Sequence, residues 1–214
     1  MFESRRLLAA NAIVTENLLP GSPASEWDIV GAGDPSIQGF ATEISVDQGA
    51  SIAFKINDTS LAPYRLDIYR IGYYGGLGAR KVGEIPSSQT LRQSQPAPLT
   101  DPATGLVDAG NWSVSTTWTV PQTATSGVYI AKATREDTGG ASHIIFVVRD
   151  DDGESELLFQ TSDTTWQAYN RWGGNSLYTG PIDGRSYAVS YNRPFDTRAT
   201  TAKDWFFSSE YAMV

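Results

Sequence analysis

The sequence predicts a mainly β protein, in which an immunoglobulin-like β-sandwich is followed by the incomplete start of an α/β domain. Two observations predict the sandwich: short segments between residues 26 and 150 alternate apolar and polar residues, and Gly, Pro, Asn and Asp separate these segments. Apolar residues at helical spacing do not occur in this region. We therefore divide the chain into an N-terminal extension (residues 1–25), the sandwich (residues 26–150) and the α/β region (residues 151–214).

The predicted strands of the sandwich have a period of two residues. In residues 51–57, Ile52, Phe54 and Ile56 fall on one face, and smaller or polar side chains fall on the other. Alternation recurs in four further segments, namely residues 64–72, 111–120, 127–135 and 142–150. Tyr129 follows a glycine at the start of a predicted strand. This is typical of a tyrosine corner, in which the ring packs inward and the hydroxyl binds a neighbouring loop.

The α/β region begins after an acidic segment. Four acidic residues and no apolar residue lie between Arg149 and Ser155, which predicts an exposed linker. Residues 157–159 are predicted to form a strand. The C-terminal residues are predicted to form a helix that Asp204 caps, because apolar side chains recur there at helical spacing: Trp205, Phe206 and Met213. Because one strand and one helix cannot bury a sheet face, we expect a longer protein of which this is the front part. Apolar side chains of both elements should then lack packing partners.

Composition and charge exclude several classes of function. Lys and Arg number 16 against 24 Asp and Glu, and the net charge of −8 argues against a nucleic-acid partner. No apolar run approaches the ~20 residues of a membrane helix, so no membrane partner is expected. At the N-terminus, Arg5 and Arg6 precede a short apolar stretch that Asn11 interrupts, which leaves a cytoplasmic and an exported location open.

Two familiar kinds of site are also disfavoured. The chain has no cysteine and one histidine, so thiolate chemistry and a histidine-rich zinc site are excluded. His143 lies on an alternating segment and is interpreted as an ordinary strand residue. Residues 71–85 are glycine-rich and end in another predicted strand, residues 80–85, rather than in a helix. This favours a glycine-permitted turn over a phosphate-binding loop.

Residues 164–180 (TTWQAYNRWGGNSLYTG) are the strongest candidate for a site. One interpretation is structural, with the aromatic side chains filling the joint between the two regions. The other is functional, because the segment follows a predicted first strand, where open α/β sheets place their sites. The predicted pocket would then be lined by Trp166, Gln167, Asn170, Trp172, Gly173 and Gly174.

Several stretches resemble one family, the large (beta) subunit of N,N-dimethylformamidase. The resemblance rests on residues 16–56, 64–85 (YRLDIYRIGYYGGLGARKVGEI), 126–137 (SGVYIAKATRED) and 164–178 (TTWQAYNRWGGNSLY). It covers nearly the whole chain and implies the N-terminal portion of such a subunit. It also implies an immunoglobulin-like domain followed by a glutamine-amidotransferase-like α/β domain. The characterised member hydrolyses a small amide at a mononuclear iron that two tyrosines and one glutamate hold.

This resemblance implies iron as the cofactor of the complete protein, since phenolate and carboxylate oxygens suit ferric iron. The candidate ligands in this chain are Tyr169, then Tyr178 and Tyr211. The family's glutamate lies in a His-Asp-Glu-Tyr-Trp type motif that this chain lacks, so we expect the chain alone to be inactive. A small amide substrate is implied, and either an oligomer or a further C-terminal domain is expected.

Two other functions stay open on the sequence. The sandwich can be a non-catalytic binding module whose aromatic segment stacks on carbohydrate or on another protein. It can also be purely architectural. A formamidase-like amide hydrolase is the leading hypothesis.

Overall fold

Ten β-strands, four α-helices and four 3-10 helices make up the part of the chain that the structure, a computed structural model, describes: residues 11–29, 33–155, 157–195 and 206–214. The α-helices are α1 (Ala12–Asn17), α2 (Ala24–Trp27), α3 (Asp163–Tyr169) and α4 (Phe206–Ser209). The strands are β1 (Ile37–Ala41), β2 (Ser45–Asp47), β3 (Ser51–Asp58), β4 (Tyr64–Ile71), β5 (Ala79–Ile85), β6 (Leu99–Asp101), β7 (Leu106–Asp108), β8 (Thr116–Thr119), β9 (Gly127–Arg135) and β10 (Ala141–Arg149). The 3-10 helices are Tyr74–Gly76, Ser87–Gln89, Trp172–Gly174 and Tyr211–Met213. Among these residues, none of the helices has the length and apolar character needed to cross a membrane.

The strands form two larger sheets and one small one. The five-stranded sheet has the order β2-β10-β9-β4-β5, the three-stranded sheet β1-β3-β8, and β6 pairs with β7. All pairs are antiparallel except β10 with β2. The prediction of a mainly β protein is confirmed. Of the five alternating segments, four match observed strands closely, whereas residues 111–120 contain only the short β8.

The main hydrophobic core lies between the two larger sheets. Ile52, Phe54 and Ile56 of β3 are all buried, as their period of two predicted. Phe54 packs edge-on against Phe146 of β10, with ring centroids 5.7 Å apart. The two sheets therefore pack face to face through apolar side chains of both.

Tyr129 has the structure of a tyrosine corner. Its ring is buried and packs against Phe146, and its hydroxyl donates to the main-chain oxygen of Thr125 at 2.6 Å. Burial raises the pKa of the phenol well above its ordinary value. The predicted structural role of Tyr129 is confirmed.

The glycine-rich segment connects β4 to β5. Gly75 and Gly76 have φ of 67° and 90°, in the region that favours glycine. The amide of Gly72 donates to the main-chain oxygen of Gly78 at 3.1 Å. The segment is therefore a turn between two strands, as predicted.

The five-stranded sheet is apolar on its outer face as well as its inner face. A second hydrophobic cluster covers this outer face, and it consists of Trp27, Tyr69, Ile71, Ala79, Val128, Ile130, Ile145, Trp166 and Phe206. Phe206 is fully buried there, so the expectation that its side chain lacks packing partners is wrong. The physical reason is that the sheet itself offers the apolar surface that Phe206 needs. The predicted Asp204 cap and Trp205 lie outside the described residues.

The predicted strand at residues 157–159 is not formed. Leu157 and Leu158 are 90% and 92% exposed, and Phe159 is 47% exposed. The preceding strand, β10, already has β9 on one side and β2 on the other, so it offers no edge to this segment. Residues 150–154, the predicted linker, are exposed as expected.

Candidate functional site

The aromatic segment folds as helix α3 followed by a tight turn. The carboxylate of Glu210 accepts hydrogen bonds at the beginning of α3 from the amide and hydroxyl of Ser162, and one from Nε1 of Trp166 at 2.9 Å. Gly173 and Gly174 have φ of 79° and 89°, which favours glycine at both positions of the turn. The C-terminal segment and the aromatic segment are therefore joined through Glu210.

The two tryptophans of this segment lie in hydrophobic clusters. Trp166 is 1% exposed and packs edge-on against Phe206, with centroids 5.7 Å apart. Trp172 packs edge-on against Trp112 at 5.6 Å, and its Nε1 donates to Oε1 of Gln38 at 2.9 Å. These two side chains therefore have the structural, packing role that was one of the two interpretations of the aromatic segment.

A fully buried arginine, Arg193, holds the segment together. Its Nη1 donates to the main-chain oxygen of Asn175 at 2.7 Å and to that of Trp172 at 3.3 Å. Its Nη2 donates to the main-chain oxygen of Gln167 at 2.9 Å. Sequence reasoning missed Arg193, because an arginine in a polar, irregular stretch gives no signal of burial.

Gln167 and Asn170 extend this polar network. Nδ2 of Asn170 donates to the main-chain oxygen of Pro194 at 2.9 Å and lies 3.4 Å from Oε1 of Gln167. Nε of Arg193 lies 3.5 Å from the same Oε1. Nε2 of Gln167 is buried and has no hydrogen-bond acceptor among the residues that the structure describes. The side-chain amide nitrogen of Gln167 is therefore an unsatisfied donor within this network.

Gln167 also lines a cavity of about 180 Å³. The other walls come from residues 39–44 at the end of β1, from Ile144 and Ile145 of β10, and from Tyr191 and Phe195. The hydroxyl of Tyr191 donates to Oδ2 of Asp163 at 2.6 Å. Partial burial, followed by this bond to a carboxylate, raises the pKa of Tyr191.

Two of the three candidate metal ligands lie side by side. The rings of Tyr169 and Tyr178 stack, with centroids 4.2 Å apart and planes 17° apart. The amide of Leu177 donates to the main-chain oxygen of Ala168 at 3.0 Å, which brings the second tyrosine back onto the end of α3. Tyr178 is 59% exposed.

Tyr211, the third candidate, lies elsewhere. Its ring packs against those of Trp27, Phe206 and Phe207 on the outer face of the five-stranded sheet. Within the described ranges, no three His, Cys, Asp or Glu residues cluster as metal ligands would. The stacked pair supplies two phenol oxygens, a type of donor that suits ferric iron, but the described residues do not compose a complete ligand set.

His143 takes the structural role that the sequence predicted. The side chain is buried, and Nε2 lies 2.6 Å from the main-chain oxygen of Trp27. Its ring packs against Phe207 at 6.0 Å. The histidine thus ties β10 to α2.

No curated protein matches the chain. Among solved structures, the chain is similar to an AA10 lytic polysaccharide monooxygenase (LPMO) from Streptomyces lividans, at 18% identity and a TM-score of 0.29. That likeness covers 49% of this chain and 56% of that one, and it is too slight to bear on fold or function. A sequence model described as N,N-dimethylformamidase beta subunit-like, C-terminal, matches residues 65–214. The chain belongs to the N,N-dimethylformamidase beta subunit-like family.

Proposed function

We propose that this chain is part of a formamidase-like, metal-dependent hydrolase that cleaves the C–N bond of a small amide. The observation that carries the proposal is the stacked pair of Tyr169 and Tyr178, which lies within the residues that the family model matches. Two phenol oxygens on adjacent rings are hard donors of the kind that ferric iron prefers. When bound, iron would polarise the amide carbonyl and lower the pKa of a water molecule.

The protein's own contribution is to hold the two phenols in place. The first phenol is on the last turn of α3, and the second is on the turn that Leu177 fastens to Ala168. Arg193 binds α3 through Gln167 and the following segment through Asn175, so the two parts that carry the tyrosines share one buried cation. Such fixed donors lower the cost of organising a site.

The third donor is proposed to come from a further polypeptide. The family's glutamate motif does not occur in this sequence, and Tyr211 lies in a different cluster from the stacked pair. Either a C-terminal domain or another subunit of an oligomer would supply the carboxylate. The isolated chain would then be inactive.

The finer description of the fold is also a proposal. Face-to-face packing of the two larger sheets supports an immunoglobulin-like sandwich for residues 26–150. The resemblance implies that residues 151–214 begin a glutamine-amidotransferase-like α/β domain. Its support here is limited to helices α3 and α4, since the described residues of this range form no strand.

One observation favours the alternative of a non-catalytic binding module. Tyr178 and Tyr187 are 59% and 50% exposed, and the guanidinium of Arg185 lies 4.8 Å from the ring of Tyr187. Exposed aromatic rings of this kind stack on sugars or on other proteins. A binding module would have no amidase activity in any assembly.

The experiment that separates the two functions is an amidase assay on the assembled protein. The tagged chain is purified with the polypeptides that accompany it, and amine release from formamide-type substrates is measured. We expect hydrolysis that Tyr169→Phe abolishes and that Tyr187→Phe leaves unchanged. An assembly that contains iron and hydrolyses no small amide would contradict the proposal.

A further inference from the structure

Helix α1 is attached to the five-stranded sheet through a buried glutamate rather than through apolar side chains. Glu16 is the buried residue of this helix, all of which the structure describes, and it is 8% exposed. Ile13, Val14 and Leu18 are 42%, 60% and 81% exposed. Because α1 has six residues, it is too short to be stable by itself and depends on contacts with the rest of the chain. Those contacts are therefore mainly polar.

The carboxylate of Glu16 lies in a notch of the hairpin that β4 and β5 form. Its Oε1 accepts a hydrogen bond from Nε of Arg80 at 2.7 Å and lies 2.5 Å from Nη2 of the same guanidinium. The hydroxyl of Tyr74 donates to Oε1 at 2.8 Å. Nη1 of Arg70 in turn donates to this hydroxyl at 3.1 Å. The notch thus presents cationic and phenolic donors to a carboxylate, and hydrogen bonds of this charge-assisted kind are strong.

The two guanidinium groups at the notch share the negative charge of Glu16. Arg70 is 3% exposed, and its remaining hydrogen bonds go to main-chain oxygens, those of Ile71, Thr125 and Ser126. In the part of the chain that the structure describes, Glu16 is the acid that forms an ion pair with Arg80. Because a buried cation is strongly disfavoured without a counter-charge, the notch without Glu16 would attract another carboxylate.

A second contact lies one residue further along α1. Oδ1 of Asn17 accepts a hydrogen bond from the main-chain amide of Tyr73 at 2.8 Å. A Cβ atom at Gly72 would lie 2.5 Å from this oxygen, so glycine at this position leaves room for it. The hairpin is therefore shaped to contact two adjacent side chains of a peptide, a carboxylate and an amide.

We propose that the Arg80 notch, formed by Arg80, Tyr74 and the main-chain amide of Tyr73, is a binding site for a peptide segment that carries a glutamate followed by an asparagine. In this chain, α1 occupies the notch as an intramolecular ligand. Because α1 buries little apolar surface, most of its attachment comes from these two side chains. A segment with the same two side chains on another polypeptide can therefore replace it. The notch is separate from the stacked tyrosines and does not depend on the proposed hydrolase activity.

The test titrates a synthetic peptide of residues 11–19 into the ¹⁵N-labelled full chain with Glu16→Ala and Asn17→Ala, a double variant that vacates the notch. Binding is followed by NMR through the Nε–H signal of Arg80 and the amide signal of Tyr73. We expect saturable shifts of both signals. The same peptide with Glu16→Gln should bind about tenfold more weakly, because it lacks the charge-assisted hydrogen bonds. Sodium acetate, which has the carboxylate alone, should also bind more weakly than the peptide.

Further variants locate the binding. Arg80→Gln, added to the double variant, should lower the affinity for the peptide about tenfold. Lys81→Gln removes a neighbouring cation of β5 and should leave the affinity unchanged. If the double variant does not fold, the wild-type chain provides the test. An excess of the peptide should then displace α1 and shift the amide signals of Ile13 and Val14.

Several results would overturn the proposal. Equal affinity for the glutamate and glutamine peptides would deny a role to the carboxylate. Unchanged affinity after Arg80→Gln would place the binding elsewhere. Acetate that binds as tightly as the peptide would assign the notch to small carboxylates instead. If the peptide neither binds the double variant nor displaces α1 from the wild-type chain, the contacts of Glu16 and Asn17 are internal contacts only.

Discussion

Arg193 donates a hydrogen bond from Nη2 to the main-chain oxygen of Gln167 at 2.9 Å, and neither residue is exposed by more than 1%. This bond joins the irregular segment after the tyrosine pair to helix α3. The same guanidinium also reaches the main-chain oxygens of Trp172 and Asn175. Arg193 is therefore the central contact of the segment that carries the candidate site.

Replacement of Arg193 by lysine should destabilise the protein. Lysine keeps the charge but has no planar fork, so several buried main-chain oxygens lose their donor. We expect the free energy of unfolding in urea to fall by about 2–4 kcal/mol. Arg185→Lys, at an exposed position over the ring of Tyr187, is the matched control and should change it by less than about 0.5 kcal/mol. Equal effects of the two variants would deny Arg193 its central role.

Stability should decrease at alkaline pH. Burial raises the pKa of Tyr64 and of Tyr69 to about 12 in the folded protein, whereas an unfolded tyrosine ionises near 10. Because the folded pKa is the higher one, the stabilisation is complete below about pH 10 and is lost as the pH rises toward 12. Unfolding midpoints measured from about pH 9 to about pH 12 should show this decline. Tyr64→Phe should make the decline smaller, and an unaltered slope in that variant would contradict the assignment.

Limited proteolysis should cut first in the acidic linker. Residues 150–154 are exposed and lie between β10 and the segment that leads to α3. Exposed backbone without regular hydrogen bonding is the preferred substrate of proteases. The protein is digested briefly with a protease that cuts after acidic residues. Mass spectrometry of the first fragments should then place the initial cut in this linker. A first cut within either large sheet would show that the division near residue 150 is wrong.

Leu157 and Leu158 should make the protein bind hydrophobic dyes. Both side chains are at least 90% exposed, which is unusual for two adjacent leucines. Replacing both with asparagine should lower dye fluorescence and any self-association seen by light scattering. Leu91→Asn, at a side chain that is 53% exposed, controls for the loss of a single leucine from the surface. Dye binding that persists in the double variant would place the apolar surface elsewhere.

Local patterns in the sequence predicted the strands well but could not predict what covers them. Ile52, Phe54 and Ile56 alternate with the period of a strand, so β3 and its buried face could be predicted from the sequence. In β10, Ile145 and Phe146 are both buried, one on each face, and such a run does not say which part of the chain supplies the cover. Residues 157–159 have the composition of a strand, yet a strand also needs a partner edge, which is a property of the whole sheet.

The candidate site could be predicted only in part, because local patterns do not record contacts between distant segments. The crowding of aromatic residues in residues 164–180 identified the segment, and Tyr169 and Tyr178 do lie together. Their pairing depends on a turn whose geometry two glycines allow, and a turn of this kind is visible in the sequence. The burial of Arg193 depends on contacts between segments far apart in the chain, which no local pattern records.

The most direct test of the central claim is a ferric titration, followed by visible absorption, of the assembled protein purified with its accompanying polypeptides. We expect a phenolate-to-iron charge-transfer band that Tyr169→Phe and Tyr178→Phe each weaken and that Tyr211→Phe leaves unchanged, because Tyr211 lies in a different aromatic cluster. Each substitution removes one oxygen and keeps the ring, so stability should fall by no more than about 1 kcal/mol. A band that persists in Tyr169→Phe and in Tyr178→Phe, or the absence of any band in the iron-loaded wild-type assembly, would contradict the proposal that the stacked tyrosines are iron ligands.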